Sequence, residues 1–305
     1  MNLLYCIDKN YNEQCYTSIK SIVSNVKSPI KIFVIHSEPL SFSKEFVNKF
    51  SDNKVEQLEV IKFNEQLIRK KDVILSNSVP HVSLPTFFRL FIENFIPESI
   101  NEILYLDADV VCMKNFEQEY YDIFTSIKKE QHVIGARTIG GVSGNEELFE
   151  RLDLNGKKYF NAGVMFIDVV SWKKNNIGEK LNNLLYKDTY IYMDQDILNK
   201  YFDGNYYEIY DYMNYLIKVE ESNEVQPIID KFVKDNAKLI HYVGTSKPWH
   251  AEFASSQNSS YYQNYYAKIH MNSKHITKNP IKHNSHWYSK FLSKLQSVFT
   301  RIYQI

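Results

Sequence analysis

Cysteine is scarce in this chain, and long apolar runs are absent from it. Of the 305 residues only three are cysteines, Cys6, Cys15 and Cys112, and no two of them form a close pair in the sequence. This pattern excludes a disulfide framework and a thiolate zinc site, and it fits a reducing cytoplasm. The first apolar run stops at Asp8, too early for a signal peptide, and no uncharged run is long enough to cross a bilayer. We therefore expect a cytoplasmic protein, which can still lie on a membrane surface.

Acidic residues are missing from the last part of the chain. The whole sequence has 36 acidic and 36 basic residues, but after Glu252 there are seven Lys and Arg and no Asp or Glu. An acidic body therefore carries a basic tail. At this length we expect one domain with an appendage. The predicted division is a domain over 1–252, an irregular connection over 253–285 and a tail over 286–305, with no nucleic-acid partner.

The tail over 286–305 has apolar and aromatic residues at helical spacing, and Lys, Ser and Arg fill the other face. Such a basic amphipathic helix is typical of an element that lies in a lipid interface, here the anionic inner face of the cell membrane. Docking of the helix on the protein's own core is the alternative. The apolar face consists of Trp287, Phe291, Leu292, Leu295, Val298, Phe299, Ile302 and Tyr303.

Strands alternate with helices in the first half of the chain, and the second half is more mixed. This alternation predicts an α/β fold with a mostly parallel sheet that is covered on both faces. The predicted strands cover 3–7, 31–36, 55–63, 103–111, 132–137, 160–168 and 240–244. The predicted helices cover 11–26, 41–50, 84–95, 171–186 and 194–202, and a glycine-rich loop covers 140–144.

Two carboxylates end the apolar run that starts at Ile103. Asp107 and Asp109 are two residues apart, so in an extended chain both side chains point the same way and can hold one cation. Open α/β sheets bind ligands at such strand ends. The pair has three possible interpretations: solvated turn residues, a divalent-metal site for nucleotide phosphates, or the nucleophile and acid of a haloacid-dehalogenase-type phosphatase. The phosphatase needs the pair on an early strand and a G-D-x-x-x-D motif, which is absent, so the metal site is preferred.

His241 offers a third ligand from a short apolar strand. A neutral imidazole with two carboxylates suits Mn²⁺, and Mg²⁺ less well. Gly244 permits close backbone approach, and Lys247 supplies positive charge for a pyrophosphate. The alternative is a core histidine with satisfied hydrogen bonds.

Arg89 lies in an apolar helical run, where a buried guanidinium needs a carboxylate or an anionic ligand. Thr86, three residues earlier, shares its helix face. The alternative is an arginine that extends to water.

Three further groups of residues lie where a ligand could contact them. Acceptor and amide groups can bind the edge of a nucleobase, and a Tyr ring can stack on the base. An amide beside small residues allows a close contact with a sugar. Plain turns, a bulge and helix caps explain the same residues. The groups are Asp8, Asn10 and Tyr11 after the first strand, Asn161, Ala162 and Gly163 in a later strand, and Asp194, Gln195 and Asp196 at a helix start.

Taken in chain order, these pieces resemble glycosyltransferase family 8. The similarity covers about residues 1–252 and is closest to bacterial galactosyl- and glucosyltransferases that build lipooligosaccharide cores. The basic tail resembles the membrane-attachment segment of those enzymes. The resemblance implies a GT-A fold, a UDP-hexose donor, Mn²⁺, a saccharide acceptor attached to the membrane, and retention of the anomeric configuration. The matching motifs are Asp8/Asn10/Tyr11, Thr86-Phe87-Phe88-Arg89, Tyr105-Leu106-Asp107-Ala108-Asp109, Phe160-Asn161-Ala162-Gly163, Asp194-Gln195-Asp196-Ile197-Leu198-Asn199 and His241-Tyr242-Val243-Gly244-Thr245-Ser246-Lys247-Pro248-Trp249-His250.

The resemblance also implies a role for each matching residue. One position departs from the family, because Arg137-Thr138-Ile139 stands where members often carry a carboxylate. The implied metal ligands are Asp107, Asp109 and His241, the uridine contacts are Asp8, Asn10 and Tyr11, and the diphosphate contacts are Gly244 and Lys247. The donor-sugar contacts are Arg89, Asn161, Ala162, Asp194 and Gln195, with Thr86 and Ala108 completing the donor site. The implied catalytic residues are Arg89, Asp107, Asp194 and Gln195.

Retention requires either a covalent intermediate or attack on the face from which the leaving group departs. A carboxamide is a poor nucleophile, so we expect same-face attack with Gln195 and Asp194 stabilising charge at the sugar. Two alternative functions remain. A sugar-nucleotide pyrophosphorylase normally has a glycine-rich phosphate loop, which does not follow Asp8, and a non-catalytic UDP-sugar-binding module need not keep the catalytic pair.

Overall fold

Ten strands and nine α-helices make up the described part of the computed structural model, which comprises residues 1–68, 84–187 and 190–278. The strands are β1 (Asn2–Ile7), β2 (Ile30–His36), β3 (Val55–Lys62), β4 (Glu102–Leu106), β5 (Val110–Cys112), β6 (Ile134–Gly141), β7 (Lys158–Asp168), β8 (Tyr207–Glu208), β9 (Tyr215–Ile217) and β10 (Leu239–Tyr242). The α-helices are α1 (Asn12–Asn25), α2 (Lys44–Phe50), α3 (Glu117–Lys129), α4 (Glu146–Leu152), α5 (Val169–Lys174), α6 (Ile177–Leu185), α7 (Met193–Phe202), α8 (Gln226–Asp235) and α9 (Ser260–Ile269).

A seven-stranded sheet with the order β3-β2-β1-β4-β7-β6-β8 forms the centre of the molecule. β2 runs parallel to β3 and β1, and β1 runs parallel to β4, whereas β7 is antiparallel to both β4 and β6. A second sheet has the order β5-β10-β9. The predicted α/β fold with a mixed, mostly parallel sheet is confirmed.

Side chains alternate between the two faces of the central sheet, and each face packs against its own set of helices. In β1, Leu4 packs in a cluster with the 3₁₀ helix Leu84–Asn94 and with α5, α6 and α7. Leu3 and Tyr5 pack on the other face, with α1, α2 and α3. Because both faces of the sheet are buried, the polar side chains of a ligand site are expected at the carboxyl ends of its strands.

Two predicted helices differ in the structure. The helix predicted over 84–95 is the 3₁₀ helix Leu84–Asn94, which is interrupted by non-helical backbone at Phe91. The helix predicted over 171–186 is divided into α5 and α6, because Asn176 between them adopts a left-handed conformation with φ 50°. A continuous helical pattern in the sequence therefore hides a break in each case.

The middle of the chain contains more regular structure than the sequence analysis predicts. The strand predicted over 132–137 is β6, which begins two residues later and runs into the predicted glycine-rich loop. The short strands β8 and β9 and the helices α3, α4 and α8 are not predicted. In α3 the buried face is formed by Tyr120, Ile123, Phe124 and Ile127, which do have helical spacing.

The irregular connection predicted over 253–285 contains α9, so the prediction is wrong over this helix. Tyr262 of α9 packs with Trp249 in a third apolar cluster on the smaller sheet. Beyond α9, the N–H of Thr277 donates to the carbonyl of Trp249 at 2.8 Å, and the N–H of Ala251 donates to the carbonyl of Thr277 at 2.9 Å. The segment after α9 is thus hydrogen-bonded to the loop that follows β10.

The tail predicted over 286–305 lies outside the described residues. Its amphipathic helix and its membrane contact therefore stay predictions. Among the residues that the structure does describe, no helix has the length and hydropathy needed to cross a bilayer.

Candidate active site

The two carboxylates of the D-x-D motif lie in a turn between the two sheets. β4 ends at Leu106, and β5, which starts at Val110, belongs to the smaller sheet. A hydrogen bond of 3.1 Å from the N–H of Val110 to the carbonyl of Asp107 closes the turn. The expectation that an extended strand aligns Asp107 and Asp109 is therefore wrong. The crossing of the chain from one sheet to the other brings them together.

His241 faces this turn from β10, where antiparallel pairing places it opposite Val110. Its Nε2 lies 3.3 Å from Asp109 Oδ1 and 3.7 Å from Asp107 Oδ2, and the three candidate ligand atoms lie within 4.8 Å of one another. Asp109 Oδ1 is buried and has no hydrogen-bond partner among the described residues. Two carboxylates, an imidazole and an unsatisfied buried oxygen fit a divalent cation such as Mn²⁺ or Mg²⁺. The predicted convergence of these three residues is confirmed, while their role as ligands stays a prediction.

Gly163 on β7 makes room for the cluster. A Cβ at this position would lie 2.1 Å from His241 Cε1 and 2.8 Å from Asp107 Oδ2. Because these separations are far inside van der Waals contact, only glycine lets the imidazole and the carboxylate approach the strand so closely. The sequence analysis places Gly163 in a motif but gives it no role, although its position next to Ala162 and Asn161 is a signal of close packing.

Arg89 is buried between two carboxylates. Its guanidinium lies 2.7 Å from Asp107 Oδ1 and 3.0 Å from Asp194 Oδ2, and it donates to the carbonyl of Ala162 at 2.9 Å. The Cζ atom lies 4.3 Å from the ring centroid of Tyr105, whose hydroxyl donates to Asp107 Oδ1 at 2.6 Å. The alternative of an arginine that extends to water is therefore wrong. Burial raises the pKa of Asp194 above its ordinary value, and the ion pair with Arg89 opposes this shift only in part.

Lys247 pairs with the second carboxylate of the motif. Its Nζ lies 2.7 Å from Asp109 Oδ2 and donates to the carbonyl of Tyr242, also at 2.7 Å. Burial by itself would raise the pKa of Asp109, but Lys247 and His241 outweigh burial and hold this pKa below its ordinary value. Gly244, between the strand and the lysine, has a φ of 83°, a left-handed conformation that favours glycine.

Gln195 is fixed by hydrogen bonds to β7. Its Oε1 accepts from Asn161 Nδ2 at 3.2 Å and from the N–H of Ala162 at 3.1 Å. Its Nε2 donates to the hydroxyl of Tyr159 at 3.2 Å, and that hydroxyl donates to Asp196 Oδ1 at 2.7 Å. Tyr159 is absent from the predicted site, since a lone buried tyrosine in a strand carries no local signal of this contact.

A cleft of about 330 Å³ opens over these side chains, and a second cavity of about 140 Å³ adjoins it. Asn10 and Asp196 line neither of them: Asn10 is exposed and its N–H donates to Asp8 Oδ1 at 2.9 Å, and Asp196 is completely buried. Both cavities are lined by Thr86, Arg89, Asp107, Asp109 and Lys247. The larger cleft adds Asn161, Ala162, Asp194, Gln195, His241 and Gly244, and the smaller cavity adds Asp8, Tyr11 and Ala108.

The architecture around this cleft is that of a GT-A glycosyltransferase. The solved structure of the galactosyltransferase LgtC in complex with donor and acceptor sugar analogues matches it with a TM-score of 0.69 at 20% identity, covering 95% of this chain and 100% of the LgtC chain. The family model "Glycosyl transferase family 8" matches residues 2–252. The chain belongs to glycosyltransferase family 8.

Two curated relatives carry the likeness over most of the chain. The sequence is 31% identical over 282 residues to a lipopolysaccharide 1,2-glucosyltransferase of Escherichia coli, covering 87% of this chain and 77% of the relative. It is 26% identical over 265 residues to a lipopolysaccharide 1,3-galactosyltransferase of Salmonella typhimurium, covering 82% of this chain and 73% of the relative. The predicted family is thus confirmed.

Proposed function

We propose that the chain is a metal-dependent, retaining hexosyltransferase that moves galactose or glucose from a UDP-sugar to a saccharide acceptor. The observation that carries this proposal is the convergence of Asp107, Asp109 and His241 at a cleft in a family 8 chain. Arg89 and Lys247 line the same cleft, and two cations there suit an anionic diphosphate. The two relatives named above are a glucosyl- and a galactosyltransferase, which supports a hexose as the transferred group.

Asp107, Asp109 and His241 would hold Mn²⁺ or, less well, Mg²⁺. When bound, a divalent cation supplies Lewis-acid chemistry that neutralises charge on the departing UDP. Lys247 and the backbone at Gly244 would hold the diphosphate, because the ammonium already lines the cleft next to Asp109. These preorganised charges supply the stabilisation that the leaving group needs.

We assign the nucleoside to the smaller cavity, where Asp8 offers acceptor oxygens and Tyr11 offers a ring for stacking. Asn10 would contact the nucleoside from outside the cavity. The donor sugar occupies the larger cleft between the Arg89–Asp194 ion pair and Gln195, with Thr86 at the boundary of the two cavities.

For the retention of configuration we favour same-face attack. Gln195 Oε1 already accepts two hydrogen bonds, from Asn161 and Ala162, which makes a weak nucleophile weaker still. Gln195 and Asp194 then stabilise charge that develops at the sugar. A glycosyl adduct on Gln195 or Asp194, detected by mass spectrometry after a donor-only incubation, would establish the covalent route instead.

The acceptor is proposed to be a membrane-attached saccharide of a cell-surface glycan, since the relatives act on lipopolysaccharide. The basic aromatic tail over 286–305 would then bring the enzyme to the inner face of the cell membrane, where such an acceptor is presented.

A donor screen tests the proposal. Purified protein is incubated with UDP-galactose, UDP-glucose or UDP-N-acetylglucosamine, with and without Mn²⁺ and acceptor, and released UDP is measured. We expect Mn²⁺-dependent release that rises on adding acceptor and falls at least about 100-fold in Asp109→Asn. Asp122→Asn, an exposed change on α3, is the matched control and retains activity. Turnover that survives Asp109→Asn within a few-fold refutes the metal assignment, binding without release indicates a non-catalytic module, and pyrophosphate exchange indicates a pyrophosphorylase.

A further inference from the structure

The carboxylate of Asp196, in the first turns of α7, is completely buried and accepts four hydrogen bonds. Its Oδ1 accepts from the hydroxyl of Tyr159 at 2.7 Å. Its Oδ2 accepts from the N–H of Ile191 at 2.9 Å, from the N–H of Tyr192 at 3.0 Å and from Arg151 Nη2 at 3.1 Å. Within the part of the chain that the structure describes, Arg151 forms the one ion pair of this carboxylate. A charge that is closed off from water needs such a partner.

The backbone that these bonds fix is the turn before α7, which forms one wall of the larger cleft through Ile191, Tyr192 and Met193. Met193 has a φ of 47°, a left-handed conformation that residues other than glycine rarely adopt. Strained backbone of this kind persists only where its surroundings hold it in place. The two N–H bonds to Asp196 hold the turn immediately before Asp194, and they therefore set the position from which Asp194 enters the cleft.

Asp196 also acts on Gln195, through the hydroxyl of Tyr159. This hydroxyl donates its only hydrogen to Asp196 Oδ1, so it presents a lone pair to Gln195 Nε2 at 3.2 Å. The carboxamide of Gln195 is thereby oriented with its Nε2 toward Tyr159 and its Oε1 toward the N–H of Ala162. One buried carboxylate thus controls the placement of both residues that we propose to stabilise charge at the donor sugar.

Arg151 reaches this carboxylate from outside the site. It lies on α4 and lines neither cavity of the site, and its side chain is 25% exposed, whereas that of Asp196 is 0% exposed. Removal of one partner leaves the other charge buried and uncompensated, which is strongly unfavourable. Without Arg151, the turn before α7 therefore has to open so that water can reach Asp196.

We propose that Arg151 is a positioning residue of the transfer reaction, which keeps the turn before α7 closed by neutralising Asp196 and so holds Asp194 and Gln195 at the donor sugar. This inference rests on the proposed function, since the roles of Asp194 and Gln195 belong to it. Arg151 lies outside the predicted set of site residues, and no motif in the sequence points to it.

Kinetics separate this role from a general loss of structure. The proposed contacts to UDP come from other elements, so Arg151→Met should lower kcat for UDP release and leave the affinity for UDP unchanged. We expect kcat to fall about 10- to 100-fold, as a displacement of about 1 Å in a catalytic group does. Arg151→Lys keeps the charge and should recover most of this loss. A kcat that stays within a few-fold of the wild type, or an equal loss of UDP affinity, overturns the proposal.

Lys128→Met is the matched control. It removes an ion pair of 2.6 Å between Lys128 and Glu102, which lies at the start of β4, whereas the site lies beyond the other end of that strand. This variant should keep both kcat and the affinity for UDP. Loss of kcat in Lys128→Met as large as in Arg151→Met would show that any lost ion pair has this effect, and it would refute the assignment.

Amide hydrogen exchange, followed by NMR in the protein without metal or donor, tests the opening of the turn directly. We expect the N–H groups of Ile191 and Tyr192 to exchange at least about 10-fold faster in Arg151→Met than in the wild type. The N–H of Phe160, which donates to Asn199 Oδ1 at 2.8 Å, should keep its protection and so report an intact fold. Unchanged exchange at Ile191 and Tyr192 overturns the proposal. If Arg151→Met does not fold, Arg151→Gln removes the charge but keeps a donor, and the same two measurements on it decide the matter.

The exchange experiment also distinguishes a failure of this inference from a failure of the proposed function. It contains no sugar nucleotide, so a wild-type protein that releases no UDP can still show the protected turn and its opening in Arg151→Met. Faster exchange at Ile191 and Tyr192 with an unchanged kcat would assign Arg151 a purely structural role and refute the proposal.

Discussion

Replacement of Gly163 by alanine adds a single methyl group at the most crowded point of the site. The new Cβ would lie 2.1 Å from His241 Cε1, so the ring must retreat by about 1.3 Å to reach an ordinary contact of 3.4 Å. A displacement of about 1 Å in a catalytic constellation costs about 100-fold in rate, and overpacking costs about 1–3 kcal/mol of stability. We therefore expect Gly163→Ala to fold, to lose Mn²⁺ affinity and to reduce UDP release about 100-fold.

Gly141→Ala is the matched control for this change. A Cβ at Gly141 would have the backbone carbonyl of Lys157 as its nearest neighbour at 3.5 Å, an ordinary contact, so this variant should keep both activity and Mn²⁺ affinity. Thermal unfolding of the two variants and of the wild type separates lost stability from lost function. Wild-type Mn²⁺ affinity in Gly163→Ala would show that His241 can move without consequence, and it would refute the assignment of His241 as a ligand.

Three further predictions concern stability and location. Arg89→Met removes the counter-charge from the buried Asp194 and from the half-buried Asp107, so urea unfolding should show a loss of about 3 kcal/mol, whereas an unchanged midpoint would show that the ion pairs contribute little. Burial, with added repulsion from neighbouring histidines, lowers the pKa of His275 to about 4 from a model-peptide value of 6.5. Because the unfolded chain binds this proton more readily, stability is full above pH 6.5 and falls by up to about 3 kcal/mol as the pH drops toward 4, and His275→Gln should flatten that part of the stability profile. Deletion of 286–305 should release the protein from anionic liposomes in a flotation assay while activity on a soluble acceptor remains, and unchanged flotation would contradict a membrane role for the tail.

The first three strands and the helices between them could be predicted from the sequence because their signals are local. β1 and β2 are continuous apolar runs that end at polar residues, which is typical of strands buried on both faces. α9 could not be predicted in the same way, since its buried face consists of Tyr262, Gln263 and Tyr265 rather than aliphatic residues. Gln263 compensates its burial by bonding the carbonyls of Pro248 and His275, two contacts that no local pattern reveals.

In the candidate site, too, the residues with a sequence motif could be predicted, whereas contacts between distant parts of the chain could not. Asp107, Asp109 and His241 could be predicted as a group, because the ordered motifs of the family identify them without reference to geometry. The reason for their proximity could not, since it depends on β5 pairing with β10 more than a hundred residues away in the chain. Tyr159 could not be predicted for the same reason, because its hydroxyl acts through hydrogen bonds to Gln195 and Asp196 on another element.

The hydrogen bonds between Thr277 and the loop at Trp249 connect the region beyond the family match to a loop of the candidate site. That loop carries Lys247, and the covering residues keep Trp249 only 4% exposed, with its ring edge against Tyr11. Both Lys247 and Tyr11 line the smaller cavity, where we propose that the nucleoside binds. The segment over 253–278 therefore supports two side chains of that cavity from behind. Under the proposed function, substitutions in this segment would change the affinity for the donor without altering any residue that contacts it.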